Sequence, residues 1–212
     1  MKDIVILGSS GCAKDVLWLL EANNEIHSEW NILGFVDGHT VGQEVLGLPV
    51  LGDDAWLMDY PHPIHAACGF GSPALRRKVV DTFRTSASHI SFPNLISHSA
   101  QISRHATLGI GNIICAGSTL TSDSKIGNFV IMNVGSVVFH DDVIGDFTTL
   151  NPGSVVCGNV VIGEGCDIGT GTHIIQGLHI GPHTVTGAGS AIIRDVPGHC
   201  TVVGVPGRIL EK

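Results

Sequence analysis

His140 is followed at once by Asp141 and Asp142. An imidazole titrates near neutrality, so it can take a proton from an amine or hydroxyl nucleophile, and a neighbouring carboxylate can orient the ring and strengthen it as a base. A second group suited to chemistry lies near the N-terminus. There the apolar run Ile4 to Leu7 meets Gly8, Ser9, Ser10, Gly11 and Cys12, and a helical pattern follows from Lys14 to about Ala22. Strand, glycine turn and helix in that order present helix N–H groups and a positive dipole end to an anion.

The elements that must carry this second group alternate. Ile32 to Val36 reads as a strand ending at Asp37, and Ile64 to Cys68 as another, followed by a glycine-rich turn at Gly71 and a helical stretch from Pro73 to Phe83. Such alternation predicts a small parallel sheet whose turns line a crevice at the C-terminal strand ends, where Gly8 to Cys12, Asp37 and Gly71 meet. GSSGCA has glycine at only the first and fourth places of the GxGxxG fingerprint. Roughly 85 residues is also half a dinucleotide fold, which favours a mononucleotide or nucleotide-sugar over NAD. A tight turn with no ligand is the alternative reading of the same residues.

The histidine stands in a different background. From Ile96 to residue 197 the sequence divides into consecutive hexads without a gap; sixteen of their seventeen first residues are aliphatic, Thr186 being the exception. The fifth residue is Ala, Ser, Thr, Cys or Val except at Asn112, Asp142 and Leu178. A period of six is neither helical nor that of a plain hairpin sheet; it marks a parallel β-helix in which each hexad is one short strand plus a corner. The aliphatic residue points inward, the small fifth residue lets the corner close, and the 28 glycines supply unusual backbone angles. Three hexads per triangular coil put stacked residues 18 apart, so His140 lies between Ser122 and Gly158, with room for a ligand on the glycine side. The expected organisation is an α/β domain over residues 1–88, a β-helix over 96–197 and a tail over 198–212. Flat outer faces make a threefold homo-oligomer the natural assembly.

Composition narrows the function classes. Hydrophobic residues make up 43% of the 212-residue chain and charged residues 14%, with a formal charge of −8. No Lys/Arg run offers a nucleic acid an electrostatic footprint. No apolar stretch approaches the roughly 20 residues that cross a bilayer, so no membrane insertion is expected. The six cysteines form no metal-ligand spacing and no signal peptide opens the chain, which points to the cytoplasm. Some threefold β-helix enzymes hold zinc between protomers with three histidines, but no two of the six histidines within 96–197 are 18 apart, so no metal is expected.

End to end, the chain resembles the hexapeptide-repeat sugar acetyltransferases, which include UDP-4-amino-sugar N-acetyltransferases and sialic acid O-acetyltransferases. The resemblance is carried by GSSGCAKDVLWLL, ILGFVD, GFGSPALRRKV and NLISHSAQIS, by IMNVGSVVFHDDVIGDFTTLNPGSVVCGNVVIGEGCDIG, and by the ending VVGVPGRIL. It implies a small Rossmann-like domain followed by a left-handed parallel β-helix, assembled as a homotrimer that binds acetyl-CoA in the groove between neighbouring helices. The N-terminal domain would hold a nucleotide-sugar, in a role in cell-surface polysaccharide biosynthesis. His140 falls on the family's general base, Asp141 on its supporting acid and Asn133 on an active-site asparagine. Thr149, Gly158, Thr170 and Ala188 fall at the CoA, and Ser10, Gly11, Cys12, Asp37 and Gly71 at the nucleotide-sugar. Three positions depart from the family: Thr149 and Cys12 stand where histidines are usual, and Asp142 occupies a normally small inward place, where it competes with Asp141 as the partner of His140. The activity so implied is direct acetyl transfer to a nucleotide-linked 4-amino-sugar. Alternatives are O-acetylation of a sialic acid or related sugar, and a non-catalytic trimeric nucleotide-binding scaffold.

Overall fold

The computed structural model describes residues 1–210 and divides into two compact units, Met1–His98 and Ser99–Lys212. The last two residues of the 198–212 tail lie outside the described residues.

The first unit is an α/β layer. Its elements are β1 (Lys2–Leu7), α1 (Gly11–Asn24), β2 (Trp30–Val36), β3 (Glu44–Val45), β4 (Leu48–Gly52), α2 (Asp54–Met58), β5 (Ile64–Cys68), α3 (Pro73–Ser86) and β6 (Ile90–Ser91). The sheet order is β3-β4-β2-β1-β5-β6, and β2, β1 and β5 run parallel. Ile4 to Leu7 are buried without alternation, as a parallel strand covered on both faces requires. Ala13, Val16, Leu17, Leu19 and Leu20 form the buried face of α1. The helix comes close because Gly69 has no side chain: a Cβ there would lie 2.7 Å from the Cα of Ala13 and 2.8 Å from the Leu7 carbonyl. The β3–β4 hairpin was not foreseen from sequence. Its two turn residues, Leu46 and Gly47, both have positive φ (49° and 80°), and only the glycine advertises this.

The second unit is a left-handed parallel β-helix of hexapeptide repeats, built from two-residue strands on three faces. Face one stacks Ile113–Ile114, Ile131–Met132, Thr149–Leu150, Asp167–Ile168 and Val185–Thr186. Face two stacks Gln101–Ile102, Thr119–Leu120, Val137–Val138, Val155–Val156, His173–Ile174 and Ala191–Ile192. Face three stacks Thr107–Leu108, Lys125–Ile126, Val143–Ile144, Val161–Ile162 and His179–Ile180. Every one of these pairs joins residues 18 apart, so the coil length read from the hexads holds as far as Ile192. Thr186, the odd inward residue, is buried, with its hydroxyl 2.9 Å from that of Thr172 and accepting the Gly169 N–H at 2.8 Å. The last coil is two residues shorter. Val185 pairs with Thr201 and Ile180 bridges Val196, and an antiparallel strand, Arg208–Ile209, returns along Thr201–Val203.

Candidate active site

His140 is the second residue after strand Val137–Val138, at the corner between faces two and three. Its Nδ1 lies 2.8 Å from Oδ2 of Asp141, so Nδ1–H donates to the carboxylate, and in the neutral form of the ring Nε2 is the nitrogen with a lone pair to take a proton. Asp141 has φ 63°, and the residues stacked 18 before and after it, Asp123 and Asn159, have φ 61° and 62°. The corner thus demands a left-handed residue, and Asp tolerates that conformation while also supplying the carboxylate. The ring rests on the next coil: a Cβ at Gly158 would lie 2.5 Å from Cε1 and 2.7 Å from Nε2 of His140. The space above Gly158 is therefore filled by the imidazole, and the ligand room expected there is absent. Side-chain exposure of 63% for His140 and 59% for Asp141 leaves the pair open on its outer side.

Asp142 does not compete with Asp141. Its side chain turns inward and is fully buried; Oδ1 accepts the N–H of Val160 and Oδ2 that of Phe139, at 2.8 and 2.9 Å. Burial pushes this carboxyl up to about 7, against the two backbone N–H groups and the His140 charge, which pull it down. Asn112 plays the same part elsewhere, its Oδ1 accepting the N–H of Val130, 18 residues on. Two of the three exceptions in the hexad pattern are thus side-chain acceptors for the neighbouring coil.

The remaining expected residues fall on another corner. Asn133, Thr170 and Ala188 all follow face-one strands and line the corner between faces one and two. Asn133 is half-buried and its Oδ1 accepts the Val134 N–H at 2.8 Å, while Thr170 and Ala188 are exposed. Thr149 lies on face one itself, buried and in register with Ile131 and Asp167. A single chain therefore separates His140, Asp141 and Gly158 from Asn133, Thr149, Thr170 and Ala188. The linear sequence hides this, because seven residues between Asn133 and His140 are enough to cross a face.

In the first unit the three turns do meet. Ser9 Oγ donates to Oδ2 of Asp37 at 2.6 Å and lies 3.0 Å from Thr40 Oγ1. Burial pulls the Asp37 carboxyl upward, but the Ser9 hydroxyl, the His39 backbone N–H and the His39 charge outweigh it and leave it below the usual range. Ser10, exposed, is the N-cap of α1 in extended conformation, and its side chain makes no capping bond. A Cβ on Gly11 would meet nothing within 4 Å, and one on Gly71 would reach Cβ of Cys12 at 4.0 Å. Burial pushes the Cys12 thiol up to about 11, with the Arg76 charge opposing and Asp15 adding, so it is a poor nucleophile. Arg76 itself was missed from sequence: buried within α3, it donates from Nη1 to the carbonyls of Phe70 and Gly71 at 2.7 and 3.0 Å and pins that turn. A cavity of about 540 Å³ opens beside these turns, lined among others by Asp37, His39, Asp53, Phe70, Leu75 and Lys78. Of the five residues expected to touch a nucleotide-sugar, Asp37 alone lines it. The crevice lies outside the C-terminal ends of β2, β1 and β5, where the strand order reverses, the usual ligand position in an open α/β sheet.

Among the described residues no group of three His, Cys, Asp or Glu side chains converges as a metal site would, and no helix is long and apolar enough to cross a membrane.

The chain matches two families: PglD N-terminal domain over residues 3–83, and bacterial transferase hexapeptide (six repeats) over residues 143–176. No curated protein sequence matches it. Among solved structures it is similar to PerB from Caulobacter crescentus, crystallised with CoA and GDP-perosamine, at 34% identity over 100% of this chain and 98% of that one, with a TM-score of 0.90. WeeI from Acinetobacter baumannii matches at 31% identity over 99% and 100% of the two chains, with a TM-score of 0.89. The acetyltransferase domain of PglB from Neisseria gonorrhoeae matches at 29% identity over 99% and 100%, with a TM-score of 0.90. An α/β domain followed by a parallel β-helix of hexapeptide repeats is the architecture of a hexapeptide-repeat transferase. The chain belongs to the hexapeptide-repeat acetyltransferases that carry a PglD-type N-terminal domain.

Proposed function

We propose that the chain transfers the acetyl group of acetyl-CoA to the amine of a nucleotide-linked 4-amino-sugar, with His140 as general base. The observation that carries the reading is the His140–Asp141 pair, held at 2.8 Å through Nδ1, with the ring propped on Gly158. It gains support from the α/β crevice and from PerB, a relative crystallised with CoA and a GDP-linked sugar. In the reaction the amine nitrogen attacks the thioester carbonyl and a C–N bond forms. Nε2 takes the amine proton while Asp141 holds the imidazolium. The oxyanion collapses, the C–S bond breaks, and the thiolate of CoA leaves and accepts a proton.

The separation of the site residues over two corners supports a homotrimer, in which the His140 corner of one copy faces the Asn133 corner of the next and acetyl-CoA lies between them. The six cysteines, none in a disulfide, fit a cytoplasmic protein.

The test follows thiol release from acetyl-CoA against a panel of UDP-, GDP- and dTDP-linked amino-sugars, with a sialic acid as the hydroxyl acceptor. One amino-sugar should turn over, and His140→Ala or His140→Asn should lower kcat by about two to four orders of magnitude. Near-normal turnover in those variants refutes the assignment of the base, and turnover of the sialic acid alone refutes that of the acceptor.

A further inference from the structure

A second histidine pairs with a hydroxyl, and both residues lie in the first unit. His65 stands in β5 and Ser91 in the edge strand β6, directly opposite each other in the parallel register. Parallel neighbours on one face are about 4.8 Å apart, close enough for a short side chain to reach a ring. Ser91 Oγ lies 2.6 Å from Nδ1 of His65 and 3.4 Å from the carbonyl oxygen of Ile64. With the neutral ring in its Nε2–H tautomer, Nδ1 accepts the Ser91 hydroxyl proton, for which the Ile64 carbonyl is the more distant acceptor.

Neighbouring groups hold this ring neutral and in place. The Trp30 ring meets His65 edge-on, with centroids 5.2 Å apart and planes at 84°. Lys2 Nζ sits 5.5 Å from the Trp30 ring centroid and 2.9 Å from Oε1 of Glu29. Burial holds the His65 pKa below the usual histidine range, and the Lys2 charge lowers it further while Glu29 opposes. The imidazole is half-buried, whereas Ser91 is exposed on the sheet edge. A solvent-open hydroxyl in contact with a neutral, oriented imidazole is the arrangement of an activated nucleophile. Acetyl transfer at His140 makes no use of it.

We propose that Ser91 is a nucleophile with His65 as its base, and that it takes an acyl group from an activated ester or thioester. Ser91 Oγ attacks the acyl carbonyl and a C–O bond forms while Nδ1 of His65 takes the hydroxyl proton. The bond to the leaving phenolate, alkoxide or thiolate breaks, and the leaving group receives that proton from the imidazolium. The product is an acyl-serine beside a neutral ring.

Incubation of the full chain with p-nitrophenyl acetate, and separately with acetyl-CoA, followed by peptide mass spectrometry, reads the acetyl group residue by residue. With at least one donor Ser91 should be acetylated about tenfold or more faster than Ser86, an exposed serine whose hydroxyl lies 3.4 Å from that of Thr85. The donor that works tells an ester from a thioester. His65→Gln keeps an acceptor for the Ser91 hydroxyl but cannot take its proton, and should slow acetylation of Ser91 about a hundredfold at an unchanged unfolding temperature. In the wild type the rate at Ser91 should rise with pH as His65 loses its proton, and level off at a lower pH than an ordinary histidine would give. That profile carries the test if His65→Gln fails to fold. Ser91 acetylated no faster than Ser86 by either donor overturns the assignment, as does an equal rate in the wild type and His65→Gln, or a rate that climbs in proportion to hydroxide without levelling.

Discussion

Replacing Gly158 by alanine separates catalytic geometry from stability. The added Cβ would sit 2.5, 2.7 and 2.9 Å from Cε1, Nε2 and Nδ1 of His140, against the roughly 3.5–4.0 Å at which carbon atoms rest in contact. The ring must therefore retreat by about 1 Å, which pulls Nδ1 off its 2.8 Å bond to Asp141. Nothing in the fold resists, because the side chain is 63% exposed and swings outward. The backbone of Gly158 is outside the left-handed region, so alanine suits it and stiffens the unfolded chain, a gain of about 0.4–1 kcal/mol. Misplacing a reacting group by about 1 Å costs on the order of a hundredfold. Gly158→Ala should accordingly lower kcat about a hundredfold with an unfolding temperature equal to or slightly above the wild type. Thiol-release kinetics and thermal unfolding on the same preparation measure both. A kcat within threefold of the wild type refutes the reasoning, and a rise in KM for acetyl-CoA at unchanged kcat shows instead that Gly158 only borders the cofactor.

Asp141→Asn should fold as well as the wild type, because Asn159 already occupies the same left-handed corner one coil on, yet lose about ten- to a hundredfold in kcat through the missing carboxylate; a drop in unfolding temperature to match would contradict this. Asp142→Asn should keep activity, since neither oxygen touches the imidazole, and should show an altered dependence of stability on pH. The folded-state carboxyl is raised to about 7, so in the wild type the unfolded chain ionises first as pH rises. Stability is fully present below about pH 4, falls above it, and the loss, at most about 4 kcal/mol, is complete above about pH 7. The asparagine variant, which can still accept the Val160 N–H as Asn112 accepts that of Val130, should gain on the wild type between pH 5 and pH 8 in thermal scans; parallel curves would show that Asp142 ionises freely in the folded chain.

The β-helix was legible because its register is periodic. Once Ile96 begins the hexads, each later coil follows at 18, and Gly158 falls beside His140 by arithmetic. What periodicity misses is its own interruption. The two-residue shortening after Ile192 brings His183 and His199, 16 apart, to a ring separation of 4.9 Å, a contact that a search at 18 passes over. Periodicity also does not say which corner a residue occupies relative to another, so Asn133 and His140 read as neighbours when a face divides them. Inward polar residues are ambiguous for a different reason. Asp142 stands out in the hexads as a possible catalytic acid, but only its contacts with Phe139 and Val160 show that it serves the backbone. In the first unit β5 is read to the residue, since Ile64–Cys68 is apolar and buried except at His65, whereas the β3–β4 hairpin depends on a left-handed leucine that composition does not announce.

The shortened last coil also bears on self-association. A parallel β-helix ends in open strand edges, and each edge is a template onto which another chain could add in register. Here the final turn breaks the 18-residue step, and the antiparallel return of Arg208–Ile209 occupies the edge of Thr201–Val203 with a strand running the wrong way for further growth. On this face the pile of parallel strands is thus given a terminus, and a further coil cannot add to it in register.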